Sequence, residues 1–303
     1  MNTGNVVFRG GDGDDEIWAN TVNDNADGVT YAKYYGGAGD DILKGALSAP
    51  TGQLLVGQGG RDTIDTAWLD GIKTDPPTTY GIDQTDLLIW GDYGYGTDGS
   101  FEVSEQYGDA RLEEQIWGDD DIIRIGKGGG AETSSARVWA GDGDDEIDIA
   151  SGWYGHEINA GRGDDTIIFN GSYSGSMGTT TLNGGLGDDI FRAGPDFADT
   201  NNDMNTITIN GGEGKNTIEG FSGAATLNVN GGADDDVITV GDNVGTGTVM
   251  AGAGNDLVIG SGDADAMTPG TANLTVDLGD GDDIFEGGES GNEETVTGGL
   301  GND

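Results

Sequence analysis

Gly10-Gly11-Asp12-Gly13-Asp14-Asp15-Glu16-Ile17 is the stretch on which the fold turns. It returns as GGAGDDIL over residues 36–43 and as GGLGDDIF over residues 184–191. Close variants begin at Gly57 (GQGGRDTI), Ala140 (AGDGDDEI), Ala160 (AGRGDDTI) and Ala251 (AGAGNDLV). Others begin at Gly211 (GGEGKNTI), Gly231 (GGADDDVI) and Leu278 (LGDGDDIF). Degenerate copies sit at Trp90-Gly91-Asp92-Tyr93-Gly94 and at Trp117-Gly118-Asp119-Asp120-Asp121-Ile122-Ile123, the latter one residue short. With the unfinished copy at residues 298–303, thirteen turns can be counted.

Numbering the motif from Gly10 as position one, the second position falls at 141, 161, 185, 212, 232, 252, 279 and 299 in the later part of the chain. The steps are 20, 24, 27, 20, 20, 27 and 20, so a unit of 20 residues carries insertions of four or seven between motifs. A period of this size marks a repeat architecture in which each unit buries its apolar face only against its neighbours. Position eight is apolar from Ile17 through Ile147, Ile218 and Val258 to Phe285. Position ten is often apolar too, as at Ile125, Ile149, Phe169 and Val240, and Leu182, Ile209, Val229, Val249 and Val276 stand two residues ahead of position one. Alternation with period two describes strands that bury one face. One coil is then a strand, a Gly-Asp turn, a second strand and a variable loop. The fold expected is all-β, a right-handed parallel β-solenoid (β-roll) of about 13 coils, continuous through residues 1–303 as a single domain. The unfinished repeat at its end suggests a piece of a longer chain.

Composition narrows the function. Lys and Arg total 12 against 56 Asp and Glu, a formal charge of −44, and glycine supplies 61 residues. Such a charge disfavours nucleic acid and anionic lipid as partners, and a compact fold carrying it repels itself unless cations neutralise part of it. High charge with few apolar residues is also the composition of disorder, but the regular apolar pattern argues for a packed core. Cysteine is absent, which removes disulfides, thiolate metal sites and thiol nucleophiles. No stretch approaches the ~20 apolar residues of a membrane span. Met1-Asn2-Thr3-Gly4 opens without the basic and apolar regions of a signal peptide.

The pattern G-G-x-G-x-D-x-U-x carried by these copies resembles the RTX (repeats-in-toxin) nonapeptide of the calcium-binding β-roll family. Glycine reaches positive φ without steric cost, so the backbone can curl and aim its carbonyl oxygens into the turn. Calcium takes six to eight oxygens from carbonyls and carboxylates. The resemblance implies multiple Ca2+ ions along one edge, each shared between neighbouring turns and held by the position-six side chain with backbone carbonyls. Carried over residue by residue, the implied ligands are Asp15, Asp41, Asp62, Asp121, Asp145, Asp165, Asp189, Asp236, Asp256 and Asp283. Asn216 holds the same place in one turn and is expected to ligate more weakly. Tandem family repeats recur every nine residues and place turns on both edges; here the wider spacing leaves only one edge with the nonapeptide. The other edge is irregular, at residues 67–80, 126–136, 195–204 and 261–270. Acidic stretches at 23–28 and 199–203 resemble the opening of an EF-hand loop without its closing Glu, and mark places where extra calcium could bind.

No catalytic residue is expected. His156 is the only histidine and has no Ser or Cys nucleophile beside it in sequence, and carboxylates that serve calcium stay ionised, which makes poor general acids. Thr181, Thr208, Asn228, Thr248, Thr275 and Thr295 should stack as an outward rank at about 4.8 Å spacing. That rank is either ordinary β-propensity on a wet face or a flat surface for ice or a glycan. Trp18, Trp68, Trp90, Trp117, Trp139 and Trp153 all lie within the first 153 residues and suit either sugar binding or loop packing. Asn170-Gly171-Ser172 and Asn273-Leu274-Thr275 are glycosylation sequons. The function expected is not enzymatic: a secreted, extracellular or cell-surface structural and adhesive module, as in a surface layer, adhesin stalk or filament, with calcium and further copies of itself as partners. The alternatives are the C-terminal secretion and folding appendage of a secreted hydrolase or toxin, and a carbohydrate- or ice-lattice-binding module.

Overall fold

The computed structural model describes residues 6–18, 32–45, 53–65, 86–92, 119–125, 135–150, 155–170, 178–194, 206–222, 224–241, 244–260, 273–287 and 293–303. Among the described residues there are strands and no helix. Long strands of seven or eight residues alternate along the chain with short ones of three to five. The long strands stack into a 12-stranded sheet and the short ones into an 11-stranded sheet, each in chain order. Neighbouring strands are parallel, as in the pairs Thr206–Glu213 with Thr226–Ala233 and Thr217–Glu219 with Val237–Thr239. The molecule is a parallel β-solenoid.

The apolar positions read from the sequence form the core between the two sheets. Leu182, Ile209, Val229, Val249 and Val276 point in from the long strands, and Ile147, Ile167, Phe191, Ile218, Ile238 and Val258 from the short ones, all at most 2 % exposed. Phe169, Ile125, Ile149 and Val240 extend that core two residues further on. From Thr206 to Gly212 buried and partly exposed residues alternate strictly, as a half-buried strand requires. The core is only two side-chain layers thick, so its stability comes from repetition along the stack.

Glycine at position two serves the stacking directly. Gly185 has φ +125°, a left-handed conformation that costs a side-chain-bearing residue about 1–2 kcal/mol. A Cβ on it would also collide with the carbonyl oxygen of Gly161 in the preceding coil. Gly11, in the first described coil, has the same positive φ of +129° but nothing within 4 Å of such a Cβ.

The two degenerate copies turn out to share one winding. Long strand Asp86–Asp92 pairs with Gln53–Gly59 on one side and Ser135–Asp142 on the other. Short strand Ile122–Ile125 pairs with Thr63–Asp65 and Glu146–Ala150. No strand stands between these partners in either sheet, so Asp86–Asp92 and Ile122–Ile125 belong to one winding; residues 93–118 lie outside the described residues. Among the described residues the longer stack contains twelve strands; the sequence suggested about thirteen coils. The sequence carries a sign of this, because the Trp90 copy has no position-six Asp, and Asp121 takes that place in the row. The irregular stretches 67–80, 195–204 and 261–270, and all but the last two residues of 126–136, lie outside the described residues. So do the acidic stretches 23–28 and 199–203, together with Trp68, Trp117 and Trp153.

Gly185→Ala is expected to lower the melting temperature well beyond Gly11→Ala, because only the former forces two coils apart. Each additional kcal/mol corresponds to roughly 2–4 °C in a domain of this size class. Paired thermal melts measure the difference; equal losses would show that close backbone approach at position two does not limit the stack.

Candidate metal centre

A turn between parallel strands leaves backbone N–H groups that the sheets cannot satisfy, and buried ones must find a partner. Here the position-five and position-six side chains, Asp-Asp in most of the turns, supply it. At position six, Oδ1 of each side chain accepts the N–H of the same position in the preceding coil. Asp15 donates to Asp41, Asp41 to Asp62, Asp62 to Asp121, Asp121 to Asp145 and Asp145 to Asp165, at 2.7–2.9 Å. The row continues from Asp165 through Asp189, Asn216, Asp236 and Asp256 to Asp283, at 2.7–3.1 Å. Asp303 extends it by accepting from Asp283 at 3.4 Å. All eleven residues singled out in the sequence thus stand in one row along one edge.

Position five forms a second row that the sequence had not assigned a role. Its bonds run the other way: Asp40 N–H donates to Asp14 Oδ1, Asp144 to Asp120, Asp164 to Asp144 and Asp188 to Asp164, at 2.8–3.1 Å. Asn255 donates to Asp235 in the same manner at 2.8 Å. This row is exposed, whereas the position-six side chains from Asp41 to Asp283 are at most 3 % exposed. The signal was present as the first Asp of the Asp-Asp pairs; what it caps is visible only once the coils are stacked.

The capping bonds occupy one oxygen of each buried carboxylate. The other, Oδ2, is buried without a hydrogen-bond partner in Asp41, Asp165, Asp189, Asp236, Asp256 and Asp283. Its surroundings are oxygens. A Cβ added to Gly36 would touch both Asp41 Oδ2 and the carbonyl oxygen of Gly57 in the next coil, and one on Gly184 would touch Asp189 Oδ2 and the carbonyl of Gly211. The coil with Asn216 shows what such a place requires. Its Oδ1 accepts from Asp189 N–H, which turns the amide nitrogen the other way. Nδ2 then donates to the carbonyls of Gly214 at 3.1 Å and Gly231 at 3.4 Å. Where an Asp stands in that position, an acceptor faces acceptors.

Burial sets the electrostatics of the row. It is the main cause pushing the Asp165 carboxyl up to about 8, opposed by the Asp145 amide and reinforced by the charges of Asp189, Asp144 and Asp164. Asp189 and Asp236 rise to about 7 for the same leading reason, and Asp41 and Asp256 are raised as well. A nearby positive charge would hold such groups fully ionised at neutral pH. Among the described residues no three His, Cys, Asp or Glu side chains converge as a metal cage, so any ion here would rely on backbone carbonyls for most of its shell. The donor set is a single carboxylate oxygen with carbonyl oxygens, a set that fits a hard cation such as calcium and no soft one. When bound, the cation supplies the positive charge that Oδ2 and the carbonyls share.

Other candidates fall elsewhere. His156 is buried in the long strand Gly155–Arg162, edge-on to Phe169 at 5.8 Å, and burial lowers its pKa to about 3, so it is neutral. Thr181, Thr208, Asn228, Thr248, Thr275 and Thr295 are in register as one rank. Thr208 is half-buried and Thr248 exposed. A parallel rank of amides, Asn159, Asn183 and Asn210, is hydrogen-bonded side chain to side chain at 2.9 and 2.7 Å.

Comparisons with protein-family models, with curated proteins and with solved structures found no match to this chain.

In metal-free solution the raised position-six carboxyls give a definite pH dependence. An unfolded Asp titrates near 3.9, so between about pH 4 and pH 8 the native row holds more protons than the unfolded chain. Stability therefore falls as pH rises through that window. Denaturant melts in chelator should give a higher midpoint at pH 5 than at pH 8, and Asp165→Asn should reduce that difference. A midpoint that rises with pH would contradict the assignment of the row as buried and unpaired.

Proposed function

We propose that the chain is an extracellular, calcium-stabilised structural or adhesive module with no catalytic role. The observation that carries this reading is the row of buried Oδ2 atoms set against carbonyl oxygens, repeated at coil after coil. A charge of −44 makes the same demand at the scale of the whole molecule, because self-repulsion falls as cations bind. Position five and position six together bring two carboxylates to a typical interface, as with Asp164 and Asp165, enough to balance one dication.

Cations that bind the stacked coils and not the unfolded chain add their binding energy to folding. Abundant extracellular calcium would then rigidify the solenoid, and scarce cytosolic calcium would leave it loose enough for export. A long, stiff, repetitive body suits a stalk, filament or layer. As the appendage of a secreted hydrolase or toxin it would have the same chemistry, with the catalytic part elsewhere. The registered Thr rank favours a third role, binding to a glycan or an ice lattice, on a face where Thr179, Thr181, Asn183, Thr206, Thr208 and Asn210 carry no charge.

Circular dichroism at neutral pH tests the proposal. The β-sheet signal should weaken and the melting temperature fall in chelator, and both should recover with calcium in excess, with magnesium far less effective because it demands a tighter octahedron. An unchanged spectrum and melting temperature in chelator would overturn the calcium reading.

A further inference from the structure

One interface of the stack is wired unlike the others. Between the coil of Gly211–Glu219 and that of Gly231–Thr239, three contacts come from side chains that the neighbouring turns lack. Asn216 Nδ2 donates to the Gly214 and Gly231 carbonyls. Lys215 Nζ binds Asp235 Oδ2 at 2.8 Å, and its hydrogen bond holds the Asp235 carboxyl below the usual carboxylate range. Gly214 N–H donates to Asp234 Oδ2 at 3.2 Å. In other turns the position-four N–H reaches the position-three carbonyl of the next coil instead, as Gly163 does to Leu186 and Gly187 to Glu213. Asp234 is itself exceptional, standing at position four with φ +73° where its counterparts are mostly glycine.

Charge changes in step with geometry. Positions five and six carry −2 in turns such as Asp164-Asp165 and +1 at Lys215-Asn216. A dication is attracted to the former and repelled by the latter. Asn216 also closes the place chemically: the group facing the carbonyls is a donor, which fills the role of a cation and cannot ligate one. Arg61 shows that a basic residue at position five is not sufficient, since Asp62 is retained beside it.

We infer that this interface is a cation-independent joint, in which Asn216 and Lys215 do by protein chemistry what bound cations do between other coils. It divides the position-six row into two blocks that load separately, Asp15 to Asp189 and Asp236 to Asp303. It also leaves the coils around it joined when calcium is scarce, a nucleus onto which the rest of the stack orders as ions arrive. The inference rests on the calcium reading and corrects one part of it, because Asn216 becomes the substitute for an ion rather than a weak ligand.

Native mass spectrometry of the full chain in calcium counts the ions. Lys215→Asp with Asn216→Asp, which restores the common turn, should bind one more calcium than the unaltered chain, and Asp236→Asn one fewer. Equal counts for the unaltered chain and the double variant, with ions bound in both, would overturn the joint and leave the calcium reading standing. No ion in any form would overturn both. Hydrogen exchange of the unaltered chain in chelator gives a second readout that needs no variant. The Asn216 amide should exchange more slowly than the Asp165 amide, by about tenfold or more, and the reverse order would contradict the joint.

Discussion

A carboxylate oxygen buried among carbonyl oxygens is tolerated only when something positive lies between them. That constraint governs this molecule. Stacking parallel strands at every turn creates amide groups that no sheet can pair, and the position-six Asp answers by accepting, with one oxygen, the N–H of the coil before it. The second oxygen is thereby fixed inside the turn, against the carbonyl of the coil after it. The same side chain that solves a hydrogen-bonding problem creates an electrostatic one. A proton can resolve it, as the raised carboxyls near 7 and 8 imply for the metal-free state. A divalent ion would resolve it too, and at neutral pH would do so without the chain having to hold protons that solvent would take.

The rest of the architecture is arranged around this row. Glycine at position two lets neighbouring turns approach until carbonyl and carboxylate oxygens from two coils share one place. The apolar columns headed by Ile209 and Ile218 fix the register in both sheets, so the oxygens repeat at each step of the stack. The position-five side chains, whose bonds run in the opposite direction, keep adjacent turns from shearing apart while staying in water. Because the core is thin and each coil contacts only its neighbours, the free energy of an ion at one interface is felt chiefly by the two coils that flank it.

Much of this was legible in the sequence. Apolar residues at position eight and two before position one, at a repeating interval, gave the two sheets and their core residue by residue, and the fixed place of Asp gave the row. The split turn was not legible, because Trp90-Gly91-Asp92 and Trp117-Gly118-Asp119 each look like a poor motif when read alone; only strand pairing shows that one completes the other. The capping role of Asp14, Asp40 or Asp144 was hidden for a similar reason. Its partner lies 20 or more residues away, and nothing in a local window distinguishes a capping carboxylate from a solvated one. At Asn216 the sequence suggested a weaker ligand, since an amide has a carbonyl to offer. The neighbouring coil uses that carbonyl first, and the orientation of the nitrogen follows.

The most direct measurement is a crystal structure grown in calcium, with anomalous scattering used to locate the ions. Peaks are expected in line along the motif edge, each between a position-six Oδ2 and the position-one carbonyl of the next coil, with none beside Asn216. A map that shows these carboxyls hydrogen-bonded directly to the carbonyls, with no ion anywhere along the row, would contradict the account.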